Sequence, residues 1–397
     1  VMDHHALRSA RGIVASFVLL GACGIASTLG GCGSASDDRL PPRPPLPVPD
    51  AGGEGGFDGG GGGGPPAPDA GGYCGNEVHQ AIVDAPNLYF VLDASGSMNA
   101  PAPGGTRYDA VRVAVVDLVR KLGPLVKVGA AILPAHGSNQ DQCAPGKQVF
   151  PVTQGDPITG EDGPTTTGIR ATTATNPVGG TPISPTLEAL TPTLLALEGK
   201  TYVILATDGG PNCNESAACG SEDCQPNMEG DEACLSTGTN CCEPEQLWGP
   251  TFCVDEPASV AAIETLRAGG LEVFVVGIPG SEAYAGVLDA MAIAGGSPKD
   301  IAPFYYPVSE LGSLGGVLAE IAAVAVTCEF AIVDPPSEEG MTNVYLDDEV
   351  LPYNDLDGWI WMPPYIVRLL GKACERLQGG QVKQVQIVSG CPTEMPK

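Results

Sequence analysis

The chain has 397 residues and a net charge of −28, with 14 cysteines, 55 glycines, 38 prolines and only four histidines. So acidic a surface repels nucleic-acid phosphates and anionic lipid, which excludes a nucleic-acid partner. Scarce histidine argues against a zinc centre or a catalytic site built on imidazole.

The length admits two or three average domains, fewer once the segments that cannot build a core are set aside. Residues 12–31 are mostly apolar and follow Arg8 and Arg11, the order of a secretory signal peptide, so residues 1–31 are expected to be removed. The stretch ends in Leu29-Gly30-Gly31-Cys32, which resembles the lipobox of bacterial lipoproteins, where the Cys carries the lipid. Cys23, closing Leu20-Gly21-Ala22-Cys23, is the alternative lipidation site. Cys32 is favoured because polar residues follow it at once, whereas Cys23 would leave the apolar residues 24–29 at the mature end. Gly33 rather than Asp follows Cys32, so the outer membrane is the expected location, with the membrane reached through the lipid anchor.

Residues 32–73 are dominated by Pro, Gly, Ala, Asp and Ser, including Pro41-Pro42-Arg43-Pro44-Pro45 and a glycine run at 59–64. No core forms from such a composition. It reads as a tether with a reach on the order of 35 Å.

After Cys74, apolar strands alternate with longer amphipathic segments, which predicts an α/β fold with a doubly wound, mostly parallel sheet. Strands are expected at 88–92, 126–133, 148–152, 202–206 and 271–277, and helices at 107–122, 182–197, 259–267, 284–293 and 311–326. Leu88-Tyr89-Phe90-Val91-Leu92 has no polar interruption, as suits a strand covered on both faces. The Thr-rich residues 165–175 read as a solvated loop or as the rim of a binding surface. Short strands at 330–333, 344–346, 359–361, 366–370 and 385–388 make residues 328–397 a small β-rich C-terminal unit. At that size it needs disulfides or docking for stability.

The first strand runs into Asp93-Ala94-Ser95-Gly96-Ser97. In an open parallel sheet, ligands bind beyond the C-terminal strand ends, where this tip lies. Gly179-Gly180-Thr181 adds a hydroxyl before a helix, and Thr207-Asp208-Gly209 adds a carboxylate at the end of another strand. Two carboxylates and three hydroxyls are hard oxygen donors that suit Mg²⁺ or Mn²⁺ better than zinc. Together the three pieces resemble the metal-ion-dependent adhesion site of von Willebrand factor A domains, over roughly residues 87–326. That resemblance implies that Ser95, Ser97 and Thr181 bind the metal directly and that Asp93 and Asp208 do so directly or through water. A partner's Asp or Glu would complete the shell, so the expected function is metal-dependent protein binding or adhesion without enzymatic turnover. The alternative is a disulfide-stabilised envelope scaffold that does not need the metal.

Residues 212–258 depart from a minimal domain of that kind. They hold seven cysteines, ten Asp or Glu and no Lys or Arg. Without a C-x-x-C pair or a His, disulfides are a better reading than zinc. Adding Cys143 gives eight cysteines expected to pair among themselves. Cys74, Cys328, Cys374 and Cys391 then form a second set, holding the C-terminal unit to the start of the domain at 74–327. The acidity could attract Ca²⁺, although a solvated face is the commoner outcome. Residues 354–358 lack the ligands of an EF-hand and read as a turn. Gly199-Lys200-Thr201 lacks the upstream Gly of a P-loop, where Leu194 stands.

Overall fold

The computed structural model describes residues 74–395 except 80, 83, 136–141, 160 and 247. The signal segment, both lipid-acceptor candidates Cys23 and Cys32, and the tether lie outside the described residues.

Six strands form the central sheet, in the order Tyr306–Pro307, Glu272–Gly277, Thr201–Thr207, Asn87–Asp93, Lys127–Leu133 and Lys147–Gln154. Neighbours are parallel except the last pair, where Lys147–Gln154 runs antiparallel. Asn87–Asp93 and Thr201–Thr207 bury all seven of their residues, which explains their unbroken apolar sequence. On one face, Leu88, Phe90 and Leu92 meet Val111, Val115 and Leu118 of helix Arg107–Leu122 and Leu318 and Ile321 of helix Leu314–Ala325. On the other, Tyr89, Val91, Val203 and Leu205 meet helices Ile183–Leu195, Glu256–Ala268 and Ala285–Gly295. The fold is therefore the doubly wound, mostly parallel α/β sheet expected from the sequence.

Local chemistry sets where the first helix begins. Thr106 caps helix Arg107–Leu122 by accepting from Asp109 N–H, and the Asp109 carboxylate accepts from Thr106 N–H in return. This reciprocal box fixes the helix start beside the Asp93–Ser97 tip.

Residues 165–175 are not a loop throughout: Pro164–Thr172 is a helix. Its Thr-rich sequence has little intrinsic helix propensity. The Asp156 carboxylate supplies what the sequence lacks locally, accepting from the backbone N–H groups of Thr165 at 3.0 Å and Thr166 at 2.7 Å, while Ile169 is fully buried.

Besides the short ribbon of Pro101–Ala102 with Gly105–Thr106, two four-stranded antiparallel sheets accompany the central one among the described residues. One orders Gly358–Met362, Ile366–Leu370, Glu329–Ile332 and Ala81–Ile82; the other orders Glu77–His79, Val385–Ser389, Thr342–Leu346 and Glu349–Leu351. Each takes one edge strand from the start of the described chain, so the β-rich C-terminal region is completed by residues 77–82. Phe330, Val344, Trp359 and Val367 belong to the same buried cluster as Leu88 and Phe90. His79 is buried, with its Nδ1 2.7 Å from the Asp334 carbonyl and its Nε2 2.7 Å from Ser389 Oγ. At 354–358 the chain turns, as Leu356 N–H donates to Asn354 Oδ1.

Six disulfides close the two expected sets internally. Cys143–Cys213, Cys219–Cys253, Cys224–Cys242 and Cys234–Cys241 join the insertion and its neighbour, while Cys74–Cys391 and Cys328–Cys374 secure the C-terminal strands. Among the described residues no helix is long and apolar enough to cross a membrane.

Candidate functional site

Asp93 is the last residue of its strand and is fully buried. Its Oδ1 accepts from Ser95 N–H at 2.8 Å, and its Oδ2 accepts from Thr207 Oγ1 at 2.5 Å. Ser95 Oγ lies 3.0 Å from Ser97 Oγ, and Ser97 Oγ donates to Asp208 Oδ1 at 2.7 Å. Thr181 joins them across the opening: a Cβ built on Gly209 would stand 3.8 Å from Thr181 Oγ1 and 3.9 Å from Ser97 Oγ, with nothing nearer. All five residues singled out in the sequence therefore converge at the C-terminal ends of adjacent parallel strands. Asp93, Ser95, Thr181 and Asp208 are buried, and Ser97 alone is exposed.

Backbone straps hold the three pieces in place. Ala94 N–H donates to the Leu133 carbonyl, Val178 N–H to the Ala94 carbonyl and Gly96 N–H to the Gly179 carbonyl. Gly180 N–H donates to Gln142 O at 2.8 Å, beside the Cys143–Cys213 bridge. A side chain cannot fit at Gly180, because a Cβ there would come within 2.5 Å of Cys213 Sγ and 2.8 Å of Asn212 Oδ1.

Burial of two carboxylates shapes the electrostatics. Loss of solvent, and secondarily the charge of Asp208, pushes the Asp93 carboxyl up to about 7, against the hydrogen bonds from Thr207 and Ser95. Asp208 is also raised by burial, and the hydrogen bond from Ser97 and the Arg107 guanidinium oppose that rise. Two buried acids facing one opening make a strong demand for positive charge, and Arg107 supplies one unit of it at 2.6 Å from Asp208.

Three neighbours of the site were not singled out from the sequence. Thr207 and Asn212 flank Asp208 in the chain, and Arg107 opens the helix after the Asp93–Ser97 tip. Their chain positions beside the motifs are the only sequence signal, since each acts through a contact with a distant segment or with the tip itself. The insertion is tied to the site rather than hanging free of it. Asn212 Nδ2 donates to Gln225 Oε1, Gln225 Nε2 to Glu229 Oε1, and Tyr284 OH also donates to Glu229 Oε1. Asp255 accepts from Ser184 and Asn214. Among the described residues, no three carboxylates of the insertion gather at one point; the one group of three His, Cys, Asp or Glu side chains close enough to share an ion is Cys219, Cys242 and Cys253, all in disulfides.

No family model and no curated protein matches the chain. Among solved structures, it is similar to the pilus adhesin SpaC from Lactobacillus rhamnosus GG at 15% identity and a TM-score of 0.45, covering 79% of this chain and 40% of that one. The vWF domain of the type V pili tip protein Mfa5 from Porphyromonas gingivalis matches at 12% identity and a TM-score of 0.41, covering 62% and 96%. Manganese-loaded TRAP from Plasmodium vivax matches at 11% identity and a TM-score of 0.33, covering 60% and 74%. The chain thus spans well under half the length of SpaC.

Proposed function

We propose that Asp93, Ser95, Ser97, Thr181 and Asp208 hold one divalent cation, Mg²⁺ or Mn²⁺, whose shell is completed by a carboxylate of a partner protein. The domain is then an adhesion or protein-binding module of the cell envelope, binding without turnover. The convergence of the five side chains on one opening carries this reading.

The donor set fits such an ion. Every candidate ligand is a hard oxygen, and five of them leave an octahedral shell one short. The space above Gly209 between Thr181 Oγ1 and Ser97 Oγ is open. When bound, the ion supplies a positive centre that a carboxylate can reach from solvent. Asp93 and Asp208 would provide the balancing charge, and the hydroxyls of Ser95, Ser97 and Thr181 would supply the neutral donors. Ser97, exposed at the rim, lies on the side from which a partner approaches.

Placement in the envelope draws on the signal-like residues 1–31, the lipid-acceptor candidate Cys32 with Cys23 as its alternative, and six disulfides that persist in oxidising compartments. The outer membrane remains the proposed location.

Titration calorimetry with Mg²⁺ or Mn²⁺, together with capture of envelope proteins on the immobilised chain with and without chelator, tests the reading. One-site metal binding and metal-dependent capture, both lost in Asp208→Ala, are expected. Capture that survives both the substitution and chelation favours the second reading, a metal-independent scaffold. One observation supports that scaffold: Arg107 already neutralises Asp208 without an ion.

A further inference from the structure

Both oxygens of Asp208 are engaged. Oδ1 accepts from Ser97 Oγ at 2.7 Å and Oδ2 from Arg107 Nη1 at 2.6 Å. The two donors differ in kind. The Ser97 hydroxyl keeps lone pairs free while donating, so it can ligate an ion and hold Asp208 together. The guanidinium has no lone pair to offer and carries a full charge. It cannot share the opening with a dication without repulsion.

The Asp208 carboxylate is buried, whereas the Arg107 side chain is 26% exposed, so one end of the ion pair is fixed and the other reaches solvent. The guanidinium lies against Gly280, where a Cβ would come within 2.5 Å of Nη1, the nitrogen that donates to Asp208. Gly280 adopts φ +116° in the loop after strand Glu272–Gly277. A side chain there would collide with the guanidinium in its paired position, so glycine makes the room in which Arg107 reaches Asp208.

We propose that Arg107 is a built-in counter-ion of the site, which a divalent cation must displace from Asp208 and which therefore sets the metal concentration at which the site becomes competent. This rests on the metal-site reading above. The site then has two states with one shared carboxylate. In the closed state Arg107 holds Asp208, and in the open state the ion does. The apparent metal affinity is the intrinsic affinity reduced by the fraction of molecules in which Arg107 has let go. Displacement also leaves the freed guanidinium on the rim next to the ion, where it adds positive charge to the surface that meets the partner.

The test is calorimetric titration of Mg²⁺ alone into the disulfide-bonded protein, comparing the unsubstituted chain with Arg107→Gln, Arg107→Lys and Asp208→Ala. Arg107→Gln is expected to lower the Mg²⁺ dissociation constant about tenfold or more, as removal of a well-populated closed state requires. Arg107→Lys, which keeps the charge without the fork, is expected to fall between. Melting in chelator supplies a second readout: Arg107→Gln should melt lower than the unsubstituted protein without metal and gain more from added Mg²⁺. Equal Mg²⁺ affinity in Arg107→Gln and the unsubstituted chain, with binding lost in Asp208→Ala, overturns the counter-ion role and leaves the metal site standing. If none of the proteins, Arg107→Gln included, binds Mg²⁺ or Mn²⁺, the metal-site reading itself falls and takes this inference with it. Circular dichroism of each variant confirms that the comparison is between folded proteins.

Discussion

Asn212 grips Thr181 at both of its peptide groups: its Oδ1 accepts from Thr181 N–H at 2.7 Å, and its own N–H donates to Thr181 O at 3.0 Å. The pair joins the loop after strand Thr201–Thr207 to the loop that presents the third hydroxyl. Asn212→Ala leaves a buried N–H without its acceptor, at a cost of about 1–3 kcal/mol. We expect a lower melting temperature together with weaker Mg²⁺ binding, because Thr181 loses its fixed position. Unchanged Mg²⁺ affinity in a destabilised variant would show that Thr181 is held by other means.

The Cys143–Cys213 bridge closes a separation of 70 residues beside the same two loops. Replacing both cysteines by Ser is expected to cost about 2–4 kcal/mol of stability. Metal affinity should fall as well, while the far-ultraviolet circular dichroism of the sheet is retained. The Cys328→Ser/Cys374→Ser pair, distant in the chain, serves as the control that loses stability without losing metal. Equal loss of affinity in both pairs would refute a local clamp.

Gly209→Ala probes the opening directly. The added methyl group meets nothing closer than 3.8 Å, so folding and melting temperature should stay close to those of the unsubstituted chain. The methyl group nevertheless enters the space between Thr181 Oγ1 and Ser97 Oγ. Mg²⁺ binding is expected to weaken about tenfold or more, an effect of roughly 1.4 kcal/mol. A variant that binds Mg²⁺ as tightly as the unsubstituted chain places the ion elsewhere.

pH should act in opposite directions on stability and on metal affinity. Asp93 titrates near 7 in the folded, metal-free protein and near 3.8 when unfolded, so the folded state binds more protons between those values. Its contribution is most favourable below about pH 4, declines as pH rises, and is lost above about 7, a swing on the order of 4 kcal/mol. Asp208, also raised, adds in the same direction. Metal needs both carboxylates ionised, so Mg²⁺ affinity should climb through pH 6–8. Chemical denaturation in chelator at pH 5 and 8, paired with Mg²⁺ titrations, measures both; metal-free stability that falls with pH as steeply in Asp93→Asn as in the unsubstituted chain excludes Asp93 as the source.

Much of this architecture is legible in the sequence because its determinants are local. The central strands are unbroken apolar runs, and the helix expected at 107–122 begins as anticipated because Thr106 and Asp109 cap it within one turn, and ends at Gly123, whose φ of +51° suits glycine. Helix Pro164–Thr172 escaped because its cap is Asp156, outside the Thr-rich segment. Strands Glu77–His79 and Ala81–Ile82 are too short to show a period, and their partners lie some 250 to 310 residues away, at Ala331 and Ile332 and at Ile387 to Ser389. The five proposed ligands were visible as three short motifs at strand ends. Arg107 was not, since nothing in its own neighbourhood reveals a contact with Asp208, 101 residues on.

The bridge from Cys74 to Cys391 has a mechanical consequence. Tension arriving along the chain from its N-terminal side enters at Cys74 and divides there, part going into strand Glu77–His79 and part through the sulfurs into the residues after Val385–Ser389. These two strands are hydrogen-bonded neighbours, so they are drawn as a cross-linked pair and the edge strand cannot peel away alone. Force arriving from that side is thereby spread before it reaches the sheet that carries Asp93 and Asp208.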